Sequence, residues 1–147
     1  MHESAAFTVE VVNWHDASVT LRVVRSAVFI REQLIPEDQE WDEADASCVH
    51  VLASAFTGEA IGTGRLLPDG HIGRMAVLKS WRGQGVGAAM MRVLLAAAEA
   101  RGHASVELSA QKHAIGFYRG FGFEVTGAEY LEVGIPHRAM RLAFTPR

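Results

Sequence analysis

Met75-Ala-Val-Leu-Lys-Ser-Trp-Arg-Gly-Gln-Gly-Val-Gly-Ala-Ala-Met-Met91 is the segment on which the reading of this 147-residue chain turns. An apolar run passes into a short basic link and then into Gly83, Gly85 and Gly87 at alternate positions. A long stretch rich in Ala, Leu and Met follows, which has the composition of a helix. Glycines at the mouth of a helix remove the side chains that would block a ligand. The first-turn N–H groups have no partner inside the helix, and the helix dipole is positive there. Such a mouth is a seat for a phosphate or pyrophosphate.

Outward from this segment, the pattern alternates between the strand and helix periods. Phe7 to Val12 reads as a strand, and Asp16 suits the N-cap of a helix reaching Glu32 with Leu21, Val24 and Val28 on one face. An acidic loop spans Pro36 to Ala46. Val49 to Phe56, Ala60 to Leu67 and His71 to Leu78 read as an antiparallel meander, with turns at Thr57-Gly58-Glu59 and Pro68-Asp69-Gly70. The glycine-led helix runs from about Gly85 to Arg101, and Gly102 stops it. Ala104 to Ser109 is then a strand reached by a right-handed parallel crossover. A short helix from Gln111 to Gly120 and strands Phe123 to Val133 and His137 to Phe144, joined by Gly134-Ile135-Pro136, complete the chain. The order β-α-β-β-β-α-β-α-β-β describes an α/β chain, a mixed α+β sheet with helices on its faces.

Composition narrows the function. The length suits one domain, residues 1–147, with 49% hydrophobic and 21% charged residues, and the net charge of −3 provides no basic field for nucleic acid. Cys48 is the only cysteine, which fits a reducing cytoplasm. Met-His-Glu-Ser at the start is no secretory leader, and the apolar stretch Val86 to Ala98 is too short to span a membrane. The prolines, Pro36, Pro68, Pro136 and Pro146, are scattered and mark no linker.

Two nucleotide readings compete. Gly83-x-Gly85-x-x-Ala88 with Glu107 about 20 residues on fits a loose dinucleotide fingerprint. However, Lys79-Ser80-Trp81-Arg82 separates strand from glycines, and the repeated βαβ units are missing. No Lys-Ser/Thr pair follows, so this is no P-loop. The second reading takes Arg82-Gly83-Gln84-Gly85-Val86-Gly87 as Arg-x-x-Gly-x-Gly, and Ala114-Ile-Gly-Phe-Tyr118-Arg-Gly-Phe-Gly-Phe123 as its companion. Together, in this order, they resemble the two cofactor motifs of the GCN5-related N-acetyltransferase (GNAT) superfamily. Val28-Phe29-x-x-Glu32-Gln33, Gly64-Arg65-Leu66 and Gly134-Ile-Pro-His137-x-x-Met140 are similar to a small bacterial branch of it with mostly unassigned substrates.

The resemblance implies acetyl-CoA as co-substrate, no metal, and a small-molecule amine as acceptor. Backbone N–H groups of Arg82, Gly83, Gln84, Gly85, Val86, Gly87 and Ala88 would hold the pyrophosphate, aided by the Arg82 side chain. Splayed central strands would form a pantetheine slot, Met75-Ala76-Val77 against Leu108-Ser109, and one N–H near Met75 to Val77 would face the thioester oxygen. Gln111, where the family often has Asn, Ala114 and Phe117 belong to the second motif's contact. Tyr118 stands at the place of a general acid for the departing thiolate, the alternative being a packed core aromatic.

The general base stays open. The strand before the glycines carries no glutamate, which leaves Glu40, Asp42 or Asp45 of the acidic loop, His137, or a water chain ending on them. Arg65 and Arg74 lie in apolar strands and call for carboxylate partners, Glu32 or the acidic loop. His2, His15, His50, His71, His103, His113 and His137 show no metal-ligand spacing, and Cys48 reads as an apolar filler. The reading is a direct acetyl transfer to a primary amine. Its rivals are an amino-sugar phosphate N-acetyltransferase and a non-catalytic acyl-CoA sensor. The resemblance also raises a homodimer, and neither nucleic acid nor membrane is an expected partner.

Overall fold

The computed structural model describes residues 6–145; the opening Met-His-Glu-Ser, with His2, and Pro146 lie outside them. Strand β1 (Phe7–Val12) pairs antiparallel with β2 (Val49–Ala55), β2 with β3 (Ala60–Leu66), and β3 with β4 (His71–Val77). The meander thus holds. Helix α3 (Val86–Ala100) carries the chain to β5 (Ser105–Gln111), parallel to β4 as the crossover requires. Strand β8 (Ile135–Ala143) lies antiparallel to β5 and carries β6 (Glu124–Val125) and β7 (Tyr130–Glu132) on its far edge. The sheet runs β1-β2-β3-β4-β5-β8-β6, with β7 also on β8.

Each face is sealed by one amphipathic helix. α3 buries Val86, Met90, Met91 and Leu94 to 1% exposure or less against Val51, Ile61 and Leu66. At roughly 1.5–3 kcal/mol per fully buried side chain, that stripe outweighs the weak helix propensity of its glycine-rich start. Gly62 of β3 makes the approach possible, since a Cβ there would stand 3.0 Å from the Met90 sulfur. Gly102, at φ +84°, ends α3 while His103 N–H bonds the Ala98 carbonyl. The other face is covered by α1 (Trp14–Arg25), whose continuation packs Val28, Phe29 and Ile35 around Ala76.

The structure corrects several expected boundaries. α1 is capped by Asn13, not Asp16: the Asn13 side chain accepts from the Asp16 N–H at 2.8 Å and donates to the Asp16 carboxylate at 2.9 Å. Past Arg25 the helix widens into a π-helical turn, Ser26–Glu32. Leu34 at φ +59° then reverses the chain and lets Ile35 N–H bond the Phe29 carbonyl at 2.9 Å. The acidic loop is not irregular, since it forms helix α2 (Glu37–Glu40) and a 3₁₀ turn, Glu43–Ser47. β5 reaches Gln111, so a 3₁₀ turn (Lys112–Ala114) and helix α4 (Ile115–Arg119) replace the single helix expected there. The expected strand Phe123 to Val133 is broken into β6 and β7, and β8 starts at Ile135. Its hairpin turn is Val133-Gly134, both at positive φ, not Gly134-Ile135-Pro136. No helix among the described residues is long and apolar enough to cross a membrane.

Candidate active site

β4 and β5 part almost as soon as they meet. Only His71↔Glu107 and Ile72↔Leu108 are paired, although both strands run on, to Val77 and Gln111. A β-bulge explains the parting. Thr63 pairs Ala76 and Arg65 pairs Gly73, so β4 holds one more residue than β3 over this span. Arg74, in the extra stretch, sits at φ +52°, a left-handed conformation uncommon for a residue with a side chain. The bulge bends β4 away from β5. Leu108 still holds Ile72, so the gap opens at Ser109 rather than at Leu108.

Behind the gap lies a cavity of about 1130 Å³. That exceeds the roughly 300–1,000 Å³ of a cleft for one ligand and leaves room for two substrates. Met75, Ala76 and Val77 line one wall, and Gln111, Ala114 and Phe117 another. Arg82, Gly83, Gly85, Val86, Gly87 and Ala88 line the mouth. Gln84 is the exception, for its amide turns to the Ser80 carbonyl at 3.1 Å and is no part of the lining. Gly83 and Gly85 stand at φ +78° and +85°, where a side chain would be strained, and a Cβ at either would meet nothing within 4 Å. The mouth is therefore an open cradle of backbone, and Ala89 N–H to the Gly85 carbonyl at 3.0 Å is the first bond of α3. The Arg82 side chain points elsewhere. It grips both Glu32 oxygens at 2.6 and 2.7 Å and donates to the Val77 carbonyl at 3.0 Å.

Phe117 packs against the start of α3, its Cζ 3.5 Å from where a Gly87 Cβ would stand. Tyr118 contacts Phe117 and Phe123 edge-on and also lines the cavity. Burial pushes its hydroxyl up to about 12, so it stays a proton-bearing donor at any physiological pH. Ser109 and Tyr130 share a hydrogen bond between their hydroxyls across β5 and the β7–β8 hairpin.

The candidate bases separate clearly. Arg65 holds Asp42 with two bonds of 2.8 Å, which brings that carboxyl down to about 2. Asp45 is shared by Arg25 and Arg65 at 2.8 Å each. Neither aspartate lines the cavity. Glu40 does, and its carboxyl is raised chiefly by burial, against the pull of Arg25 at 2.7 Å and Arg74 at 3.4 Å. Arg65 and Arg74 thus find their partners in the acidic loop, while Glu32 is taken by Arg82. Trp14 and Trp41 flank the Arg25 guanidinium at 5.7 and 5.0 Å.

His137, also in the lining, donates from Nδ1 to the Ile135 carbonyl at 2.7 Å. That bond fixes the tautomer and leaves the Nε2 lone pair as acceptor, 3.5 Å from Glu132 Oε2. Among the described residues no group of three His, Cys, Asp or Glu could hold a metal ion. Cys48 Sγ lies 3.1 Å from the Ala44 carbonyl, and burial pushes its thiol up.

Sequence reasoning placed Ser109 at the slot but missed Gln33, Glu132 and Val133 as parts of this cavity. Gln33 had a signal, since it adjoins Glu32 in a segment already singled out by resemblance. The others come from a strand end and a hairpin whose closure over the gap is purely tertiary.

Parted parallel strands, a backbone cradle at a helix mouth and an aromatic donor beside them are the fold and site of an acyl-CoA N-acyltransferase. The chain matches the family model described as an acetyltransferase (GNAT) domain over residues 15–144, and it belongs to that family. It is 38% identical over 122 residues to a Bacillus subtilis protein called uncharacterized N-acetyltransferase YjcF, covering 80% of this chain and 86% of that one. The crystal structure of Escherichia coli ElaA superposes with a TM-score of 0.82 at 29% identity, covering 92% and 98% of the two chains. An acyl-CoA N-acyltransferase from Pseudomonas aeruginosa does so at 0.76 and 33%, covering 93% and 98%. The protein is an acyl-CoA-dependent N-acetyltransferase, an enzyme rather than a passive sensor.

Proposed function

We propose that the enzyme moves an acetyl group from acetyl-CoA directly to the primary amine of a small molecule. The observation that carries this is the parting of β4 from β5 beyond Ile72 and Leu108, with the Gly83–Gly85 cradle at the mouth of the gap. Backbone groups left unpaired there need partners, and the amides of a pantetheine arm supply them. N–H groups from Gly83 to Ala88 hold the pyrophosphate through the backbone. An N–H within Met75–Val77 stabilises the negative charge on the carbonyl oxygen as the amine attacks.

The chain's own side chains handle the protons. His137 accepts the ammonium proton at Nε2, with the Ile135 carbonyl holding the ring from behind at Nδ1. Glu40 lines the same cavity, its carboxyl held by Arg25 and Arg74, and helps to shape the acceptor end. Tyr118 donates to the departing sulfur, for burial keeps its proton in place. An amino-sugar phosphate acceptor would need a free cation at this end. Arg65 and Arg74 are both held by Asp42, which argues against it. Cytoplasmic work as one domain, with a dimer as the state to look for, completes the reading.

Thiol release from acetyl-CoA, followed across a panel of amines, tests it. Release with at least one amine is expected. No release with any amine, together with no binding of coenzyme A, overturns it.

A further inference from the structure

Val28-Phe29-x-x-Glu32-Gln33 has no role in the chemistry above. Val28 and Phe29 are core residues, 3% and 7% exposed. Glu32 and Gln33 are not, and they reach in different directions. Glu32 holds Arg82, which in turn donates to the carbonyl of Val77, the last residue of β4. Gln33 exchanges hydrogen bonds with Gln111, the last residue of β5, at 2.9 and 3.3 Å. His113 Nε2 bonds the same Gln111 side chain at 2.8 Å and helps to fix it. All six of these residues line the cavity.

We infer that Glu32 and Gln33 are positioning residues, a two-pronged brace that sets the width of the slot between β4 and β5 for the acyl-CoA arm. The inference rests on the acyl-CoA reading of that slot. Past Ile72 and Leu108 no ladder fixes the separation of the two strands. The brace does so at their open ends, from consecutive residues of one turn. The turn is built for this. A π-helical turn inserts a residue and re-aims the side chains after it, and such turns recur at functional sites. Leu34, in the left-handed region, then stops the helix just past Gln33, and Ile35 anchors the reversal in the core.

Stability does not account for the pair. The Glu32–Arg82 bridge is 37% and 41% exposed, and exposed bridges contribute little to folding. A Glu32 that sequestered Arg82 from the pyrophosphate would have the opposite effect, since removing it would tighten binding. The sign of the effect separates the two.

The experiment is calorimetric titration of coenzyme A into the full chain and into Glu32→Gln and Gln33→Met, each checked by thermal melting. Each variant should weaken binding about tenfold with Tm within about 2 °C of the parent. Unchanged or tighter binding in Glu32→Gln overturns the brace while leaving the acyl-CoA reading intact. Failure of the parent chain to bind coenzyme A overturns both.

Discussion

Arg25 donates from Nε to Glu40 Oε2 at 2.7 Å, with the two side chains 1% and 2% exposed. Arg25 comes from the last turn of α1 and Glu40 from α2, so one buried bond ties the helix over the sheet to the wall of the cavity. The same guanidinium reaches Asp45 at 2.8 Å and the Glu40 carbonyl at 3.1 Å. The acidic loop is therefore an internal counter-ion for three arginines, Arg25, Arg65 and Arg74, rather than a lure on the surface.

Arg25→Met should destabilise the fold by about 3–5 kcal/mol, because it takes the nearest counter-ion from buried Glu40, which keeps only Arg74 at 3.4 Å, and leaves Asp45 to Arg65 alone. Urea denaturation measures it. Adding Glu40→Gln to that variant should restore much of the loss, and a fall that persists would mean that packing between Trp14 and Trp41 dominates instead.

Tyr118→Phe should lower kcat about 10- to 100-fold with little change in the KM for acetyl-CoA, if the hydroxyl serves the leaving thiolate. It carries a second signature. Folding raises this phenol from 10 to about 12, so its contribution is complete below pH 10 and is lost as pH rises through 12. Phenylalanine should therefore flatten the alkaline limb of stability, by up to about 3 kcal/mol. Unchanged kcat would remove the acid role while leaving the alkaline effect.

His137→Asn should cut kcat by about 10²–10⁴ while leaving the affinity for coenzyme A near that of the parent. Unchanged kcat in this variant would transfer the base role to Glu40.

Acid should act on the Asp42 link. Arg65 holds that carboxyl at about 2 against an ordinary 3.8, so its stabilisation is present above 3.8 and is lost as pH falls through about 2. Glu40 has the opposite sign: burial raises it, so its contribution is complete below 4.5 and is lost as pH rises. Asp42→Asn should flatten the stability curve below about pH 4 in circular dichroism titrations. An unaltered curve would mean that the link adds nothing.

Leu34→Gly should stabilise the protein by about 0.5–1 kcal/mol. It relieves a φ of +59° and gives up a side chain that is 79% exposed. A fall in the denaturation midpoint would show that the leucine has an unseen packing role.

Much of this molecule was legible along the chain, because the relevant physics is local. Alternating apolar residues marked the meander, Gly102 marked the end of α3, and glycines at 83, 85 and 87 marked a helix mouth clear of side chains. Each depends on a few neighbouring dihedrals, which neighbouring residues set. The Asn13 cap and the π turn were local too, yet they hid behind a plausible cap at Asp16 and an unbroken helical period.

Tertiary structure decided the rest. Arg82 lies 50 residues from Glu32 in sequence, and Gln111 lies 78 from Gln33. No spacing rule connects them. The bulge at Arg74 depends on which residues of β3 lie opposite, and the raised Tyr118 and Glu40 depend on how deeply the finished fold buries them. The sequence by itself determined most of the elements, their order and the glycine cradle at the mouth of α3, since those follow from backbone preference and period. Only the assembled sheet and helices decided where the strands part, which arginines are neutralised and which side chains reach the gap, because register and desolvation belong to the packed whole.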